Sequence, residues 1–271
     1  MTRGLAFRAR LANRARRLAQ PANRTILLEM VRANIKASDY HSLLGGLWSL
    51  IGTAVMLASM YFVFSRHFGR GIPGYPLYLL TGIIMVNFFI TATSYLLKVL
   101  SYNRDIALNS TIPRENLVLA TISINAWKFA IELAICTAIS LAYGFYSWRS
   151  ALLFVPVLLS FLALVLGVGL ALSLSFCFAR DVEHIWAIVA RLFLFVTPVF
   201  YALESLSPTM RSLISWLNPL APFLKAFRAV FLQGGALAAP LLAHCLISGT
   251  VTLGASYLIF LRWEGEALDR T

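Results

Sequence analysis

Side chains able to act on a substrate gather at few places in this 271-residue sequence. The densest group is Arg180, Asp181, Glu183 and His184, inside the segment FARDVEHIW at residues 178–186. Acid, base and imidazole so close together are the raw material of proton transfer at a membrane face, or of a charged gate. A second stretch, SYNRDIALNSTIPREN at residues 101–116, carries Arg104, Asp105, Arg114 and Glu115 around the turn Ile112-Pro113. Mixed charge there suits a docking element for another protein, and equally an ordinary solvated loop. Lys128 and Glu132 stand four apart, a spacing that lets them pair on one helix face. His41, His67, His184 and His244 are widely separated, and Cys136, Cys177 and Cys245 fall in apolar runs without metal-ligand spacing. The sequence holds no G-x-x-x-x-G-K-[ST] loop to cradle nucleotide phosphates, no H-E-x-x-H and no G-x-S-x-G elbow, and no metal site is predicted.

A bilayer must position these groups. From Ser150 to Ala179, thirty successive residues carry no charge. A helix of that length rises roughly 45 Å at about 1.5 Å per residue, enough to cross a hydrocarbon core of about 30 Å. The whole chain is 59% hydrophobic and 13% charged, with mean hydropathy +0.78. A soluble domain carries about 25% charged residues. Apolar runs predict six spans, near residues 43–64, 75–99, 117–145, 151–178, 185–203 and 237–261. Ahead of them, Leu27, Leu28, Val31 and Ile35 share one helical face while Glu29, Arg32 and Lys36 share another. That pattern predicts an amphipathic helix lying flat in the interface. Between residues 204 and 235, Pro208, Pro219, Pro222 and Gly234-Gly235 break the apolar sequence into pieces too short to cross. Helices that enter and leave on one side fit such pieces, provided protein buries them. The predicted class is therefore an all-α integral membrane protein. It has six transmembrane helices, an N-terminal interface helix and re-entrant helices before the last span. Its parts are a basic arm (1–25), the interface helix (26–40), one membrane domain (41–262) and a short tail (263–271).

The net charge of +12 is unevenly spread. Nine of the 23 Lys and Arg residues lie before position 40, against only Glu29 and Asp39. A basic arm before a first span is a cytoplasmic anchor for anionic membrane lipids, and nucleic acid is not the expected partner. Both termini are placed in the cytoplasm on the strength of that arm, because the later loops are balanced in basic residues. Residues 1–24 contain no apolar h-region of a signal peptide, although a basic, acid-free stretch loosely resembles a transit peptide.

One more segment stands out. FVTPVFY, residues 195–201, sets Pro198 among Phe193, Phe195, Phe200 and Tyr201. Proline removes a helix hydrogen bond and bends or ends the helix. The aromatic residues fit a membrane-interface belt, and they also fit a path for sugars, whose C–H faces stack on rings.

Taken in order, LLGGLWSLIGT (43–53), FVFSRHF (62–68), YPLYLLTGIIMVNFF (75–89), IPRENLVLA (112–120), FARDVEHIW, FVTPVFY and NPLAPFLKAFRAVFL (218–232) resemble a known family. It is the transmembrane subunit of type-2 ABC exporters for cell-surface polysaccharides, the Wzm and TagG kind. The resemblance runs from about residue 27 to 261 and implies a permease half with no enzymatic step of its own. ATP and magnesium would belong to a separate nucleotide-binding subunit, in two copies, and no cofactor to this chain. The cargo would be a lipid-linked glycan of O-antigen, teichoic acid or capsule type, crossing the bacterial inner membrane. Arg104, Asp105, Pro113, Arg114 and Glu115 would couple to the ATPase, and Arg180, Asp181, Glu183 and His184 would form a cytoplasmic gate. Asn218, Pro219, Phe227 and Arg228 would belong to a periplasmic gate. A channel between this chain and a second copy of itself would be lined by Trp48, Tyr61, Phe64, Phe200 and Tyr201. The arm before residue 27 is longer and richer in arginine than the resemblance implies.

Two other readings fit the same residues. A type-2 permease for a drug, a lipid or a small signalling glycan would share the fold and differ in the channel. A membrane-embedded lipid-modifying enzyme would use the acid and imidazole groups of residues 180–184.

Overall fold

A computed structural model describes residues 20–39, 47–69, 71–109, 112–235 and 237–270, and all its regular elements are helices. They are α1 (Pro21–Asp39), α2 (Leu47–Phe64), α3 (Tyr75–Leu97), α4 (Val99–Tyr102), α5 (Arg104–Asn109), α6 (Arg114–Ala142), α7 (Trp148–Phe178), α8 (Val182–Val196), α9 (Pro208–Leu217), α10 (Leu220–Leu232) and α11 (Ala239–Asp269). A 3-10 turn at Leu203–Ser205 precedes α9.

Local chemistry sets the helix ends. Gly74, at φ 65°, turns the chain into α3, whose second residue is Pro76. Ser147 and Ser150 form a reciprocal capping box at the start of α7. Thr197 is extended (φ −75°, ψ 133°), the conformation favoured before proline, and α8 stops at Val196.

Among the described residues, four helices are long and apolar enough to cross a membrane: Tyr75–Leu97, Arg114–Ala142, Trp148–Phe178 and Ala239–Leu268. The predicted first and fifth spans are shorter helices. α2 has 18 residues, with an apolar stretch at Leu50–Phe64, and residues 40–46 lie outside the description. α8 has 15 residues, about 22 Å at about 1.5 Å each, after which the run continues as extended chain. The last helix does not end near residue 261; it continues through Arg262, Glu264 and Glu266 to Asp269. Of the basic arm, residues 1–19 lie outside the description.

α3 is the central post, with Leu79, Ile83, Ile84, Met85 and Val86 completely or almost completely buried. α6, α7, α8 and α10 pack around it, and α11 closes on α7. The α7–α11 contact is close enough to bring backbones together. A Cβ at Gly167 would stand 2.8 Å from Leu253 N and Thr252 C, and one at Gly249 would strike the Ser160 backbone. Small residues that let backbones approach are how helices associate in lipid, where apolar side chains gain little from leaving the solvent. The Ser160 hydroxyl adds a bond to the Cys245 carbonyl across this seam.

The bundle has two distinct ends. One carries α4, α5 and the ends of α7 and α11 that hold Phe178 and Arg270. Here Arg270 stands over the Phe178 ring. The other end carries residues 65–75, 143–148 and 197–207, where the Ser147 hydroxyl donates to the Gly234 carbonyl. α1 lies across the first end. Its Asn34 donates to the Ala120 carbonyl, and its Asn23 carbonyl accepts from Asn116. These two bonds lie eleven residues apart on α1 and four apart on α6.

Candidate functional site

The extended run after α8 creates an accounting problem. Backbone carbonyls freed from a helix inside a membrane need donors from protein. Three side chains supply them. Arg228 on α10 donates through Nη1 to the Pro198 carbonyl (2.8 Å) and through Nη2 to the Val199 carbonyl (2.7 Å). Tyr75 donates to the Phe200 carbonyl (2.9 Å) and Tyr78 to the Tyr201 carbonyl (2.9 Å). Arg228 is buried, and its guanidinium carbon stands 3.3 Å from the Tyr78 ring centre, a desolvated cation–π contact. Asn218 fixes the other side: its amide donates to Thr197 Oγ1 (2.9 Å), and its Oδ1 caps Leu220 N (2.9 Å).

α10 is built to bring Arg228 there. Phe223 and Phe227 meet Phe161 of α7 at 5.6 and 5.5 Å, and Phe231 meets Phe154 at 5.4 Å. The helix therefore runs from mid-bundle depth outward to the end that holds Gly234. Its Phe231 carbonyl accepts from the Ser140 hydroxyl. Phe227 is fully buried in this ring stack, whereas Pro219 begins the helix as its cap residue.

The aromatic residues divide. Phe64 stacks on Phe200 at 4.8 Å, Phe200 meets Tyr201 at 5.6 Å, and Tyr61 meets Tyr75 at 6.2 Å. Those four sequence candidates form one cluster beside the extended run. Trp48 does not join it; thirteen residues before Tyr61 on the same helix, it lies about 20 Å away, 59% exposed.

At the opposite end, the loop charges turn inward. Arg104 Nε donates to the Leu268 carbonyl (3.1 Å), Arg114 pairs with Glu264 (3.2 Å), and Glu115 accepts from Tyr257 (2.8 Å). Three of the five coupling candidates thus grip α11. Pro113 is buried as the cap residue of α6. Asp105 is exposed in the first turn of α5, with Ile106 and Leu108 each 42% exposed beside it.

The acid–imidazole group is also split. Arg180, Asp181 and His184 are exposed, while Glu183 pairs with Lys98 and ties α8 to the end of α3. The Glu183 hydrogen bond lifts Lys98 above the ordinary lysine pKa, against a small opposing effect of burial. Lys128 and Glu132 do not pair. Glu132 instead accepts from the Thr53 hydroxyl of α2 (2.6 Å). Among the described residues no three His, Cys, Asp or Glu gather as a metal site.

Sequence reasoning missed Tyr75, Tyr78, Thr197, Lys98 and the α11 partners. The only signal was weak: two tyrosines three apart just after Pro73-Gly74, and a charged run after residue 261.

A family model described as ABC-2 type transporter matches residues 27–232. The chain is 26% identical over 243 residues to a Myxococcus xanthus protein named O-antigen export system permease protein RfbA, covering 89% of this chain and 94% of that protein. A Klebsiella pneumoniae protein of the same name is 25% identical over 210 residues, 77% of this chain and 81% of that one. The family match takes in the broken α8, the α10 clamp and the α5 surface. By sequence across most of its length, and by an all-helical membrane bundle without a nucleotide cradle, the chain belongs to the ABC-2 type transporter family, as a membrane permease subunit.

Proposed function

We propose that this permease exports a lipid-linked polysaccharide of O-antigen, teichoic acid or capsule type across the bacterial inner membrane, driven by a separate ATPase. The observation that carries this reading is the relationship to O-antigen export permeases, which spans 89% of the chain and includes every candidate gate. The bundle crosses six times, α2 and α8 with its extended continuation completing the count, and both termini are cytoplasmic. α9 and α10 are then re-entrant on the periplasmic side. Two copies enclose the channel, with the Phe64–Phe200–Tyr201 cluster facing the glycan and Arg180, Asp181 and His184 at its cytoplasmic mouth. Two ATPase subunits dock at α5 through Asp105, Ile106 and Leu108. Arg104, Arg114 and Glu115 pass that motion to α11 rather than touching the ATPase.

The test is co-expression with an ATPase encoded beside the gene, purification of the pair and reconstitution in vesicles with lipid-linked glycan. ATP-dependent glycan uptake is expected, and Ile106→Asp is expected to release the ATPase. An ATPase that fails to co-purify, or uptake of a drug or free lipid with no uptake of glycan, overturns the reading.

A further inference from the structure

One cleft lies away from both gates. It has a volume of about 730 Å³, within the range of about 300–1,000 Å³ typical of ligand sites. α1, α6, α7 and α11 form its walls. Three of these are helices long and apolar enough to cross a membrane, which gives the cleft membrane-type walls.

Its chemistry is graded along its length. Leu166, Leu170 and Leu253 form the inner wall. On α11 the lining runs from Thr250 to Tyr257, about 10 Å at about 1.5 Å per residue. The outer mouth is polar, with Arg24, Glu115 and Asn116. Glu115 accepts from Tyr257, and the Asn116 amide donates to the Asn23 carbonyl. Arg24 is exposed and forms no ion pair among the described residues. In the sequence it is preceded by Arg14, Arg16 and Arg17, which adds positive charge to the chain leading to the mouth. Gly254 leaves room inside: a Cβ there would meet nothing within 4 Å, at an unstrained backbone.

We propose that this cleft binds one anionic phospholipid of the adjoining leaflet, an acyl chain along Leu166, Leu170 and Leu253 and its phosphate at Arg24. An apolar slot with a cation at its polar mouth has the chemistry of an anionic amphiphile's site. The inference needs only the membrane setting, so it stands or falls independently of the exported cargo.

Full-length chain in mild detergent is incubated with phosphatidylglycerol or phosphatidylcholine, and retained lipid is read by native mass spectrometry. Wild type is expected to keep one lipid with about a fivefold preference for phosphatidylglycerol, the gain of one basic residue near a membrane surface. Arg24→Gln is expected to abolish the preference while keeping a lipid. Gly254→Leu is expected to abolish retention of both, while Val251→Leu, one turn away and outside the cleft, keeps wild-type binding. Undiminished retention in Gly254→Leu overturns the proposal, as does a preference that survives Arg24→Gln. A polyprenyl phosphate as the species carried from the native membrane, or loss of a chain–chain contact in Gly254→Leu, overturns it in favour of substrate or a second copy.

Discussion

Arg228 is the residue on which the far end depends. It is a buried cation whose fork satisfies two backbone carbonyls that no helix can serve, and whose plane covers Tyr78. Arg228→Met would leave those carbonyls without donors, and a loss of about 2–4 kcal/mol is expected. The readout is a lowered melting midpoint in detergent by fluorescence-detected size exclusion. Arg228→Lys keeps the charge but offers no planar fork, so an intermediate loss is expected from the same measurement. Lys98 makes a different statement. Its pKa is raised by Glu183, so the stability it adds is fully present below the ordinary lysine value and is lost only as pH climbs through the higher folded value. Both lie above about 10. The Lys98–Glu183 tether is therefore expected to be constant from pH 6 to 9, and Glu183→Gln should lower thermal stability equally at both ends of that window.

At the scale of elements, the α7–α11 seam and the broken α8 are opposite solutions to one constraint. The seam works by removing side chains. Gly167→Leu must push two backbones apart, and overpacking of this kind costs about 1–3 kcal/mol. Its effect is expected in folding yield and melting midpoint. Gly52 on α2 has open space at its Cβ, so Gly52→Leu is expected to leave both unchanged. α8 works by adding side chains: where Pro198 stops the helix, residues from α3 and α10 replace the missing donors. The element is therefore defined by its neighbours as much as by its own sequence.

The whole molecule leaves apolar stripes uncovered on several helices, Leu152, Val155 and Leu159 of α7 among them. On α2 they are Trp48, Ile51 and Val55, and on α8 Ile188, Leu192 and Phe195, each more than 40% exposed. Helical spacing of three, four and seven makes each set a single face. In the proposed dimer a second copy seats on the α2 and α8 faces. Cys136, Cys177 and Cys245 are buried, so an introduced thiol reports cleanly. Ile188→Cys in native membranes is expected to cross-link into a dimer with a short bifunctional thiol reagent, while Ile247→Cys on the outer face of α11 is expected to stay monomeric on gels.

By itself the sequence determined the solvent and the helical class. Charge-free runs such as residues 150–179 and the absence of a phosphate loop are local facts that no neighbour alters. It also marked Pro198 as a helix breaker, while Asn218 and Arg228 stood out only through the resemblance. Only the tertiary structure decided what they do. Arg228 meets Pro198 thirty residues away, Tyr75 meets Phe200 across 125, and Arg104 meets Leu268 across 164. It likewise set Glu132 against Thr53 rather than Lys128, and joined Arg104, Arg114 and Glu115 to α11. Periodicity reports which face of a helix is apolar, but a polar group in a membrane takes whichever donor or acceptor the fold brings within about 3 Å, and that choice is not written near it in the chain.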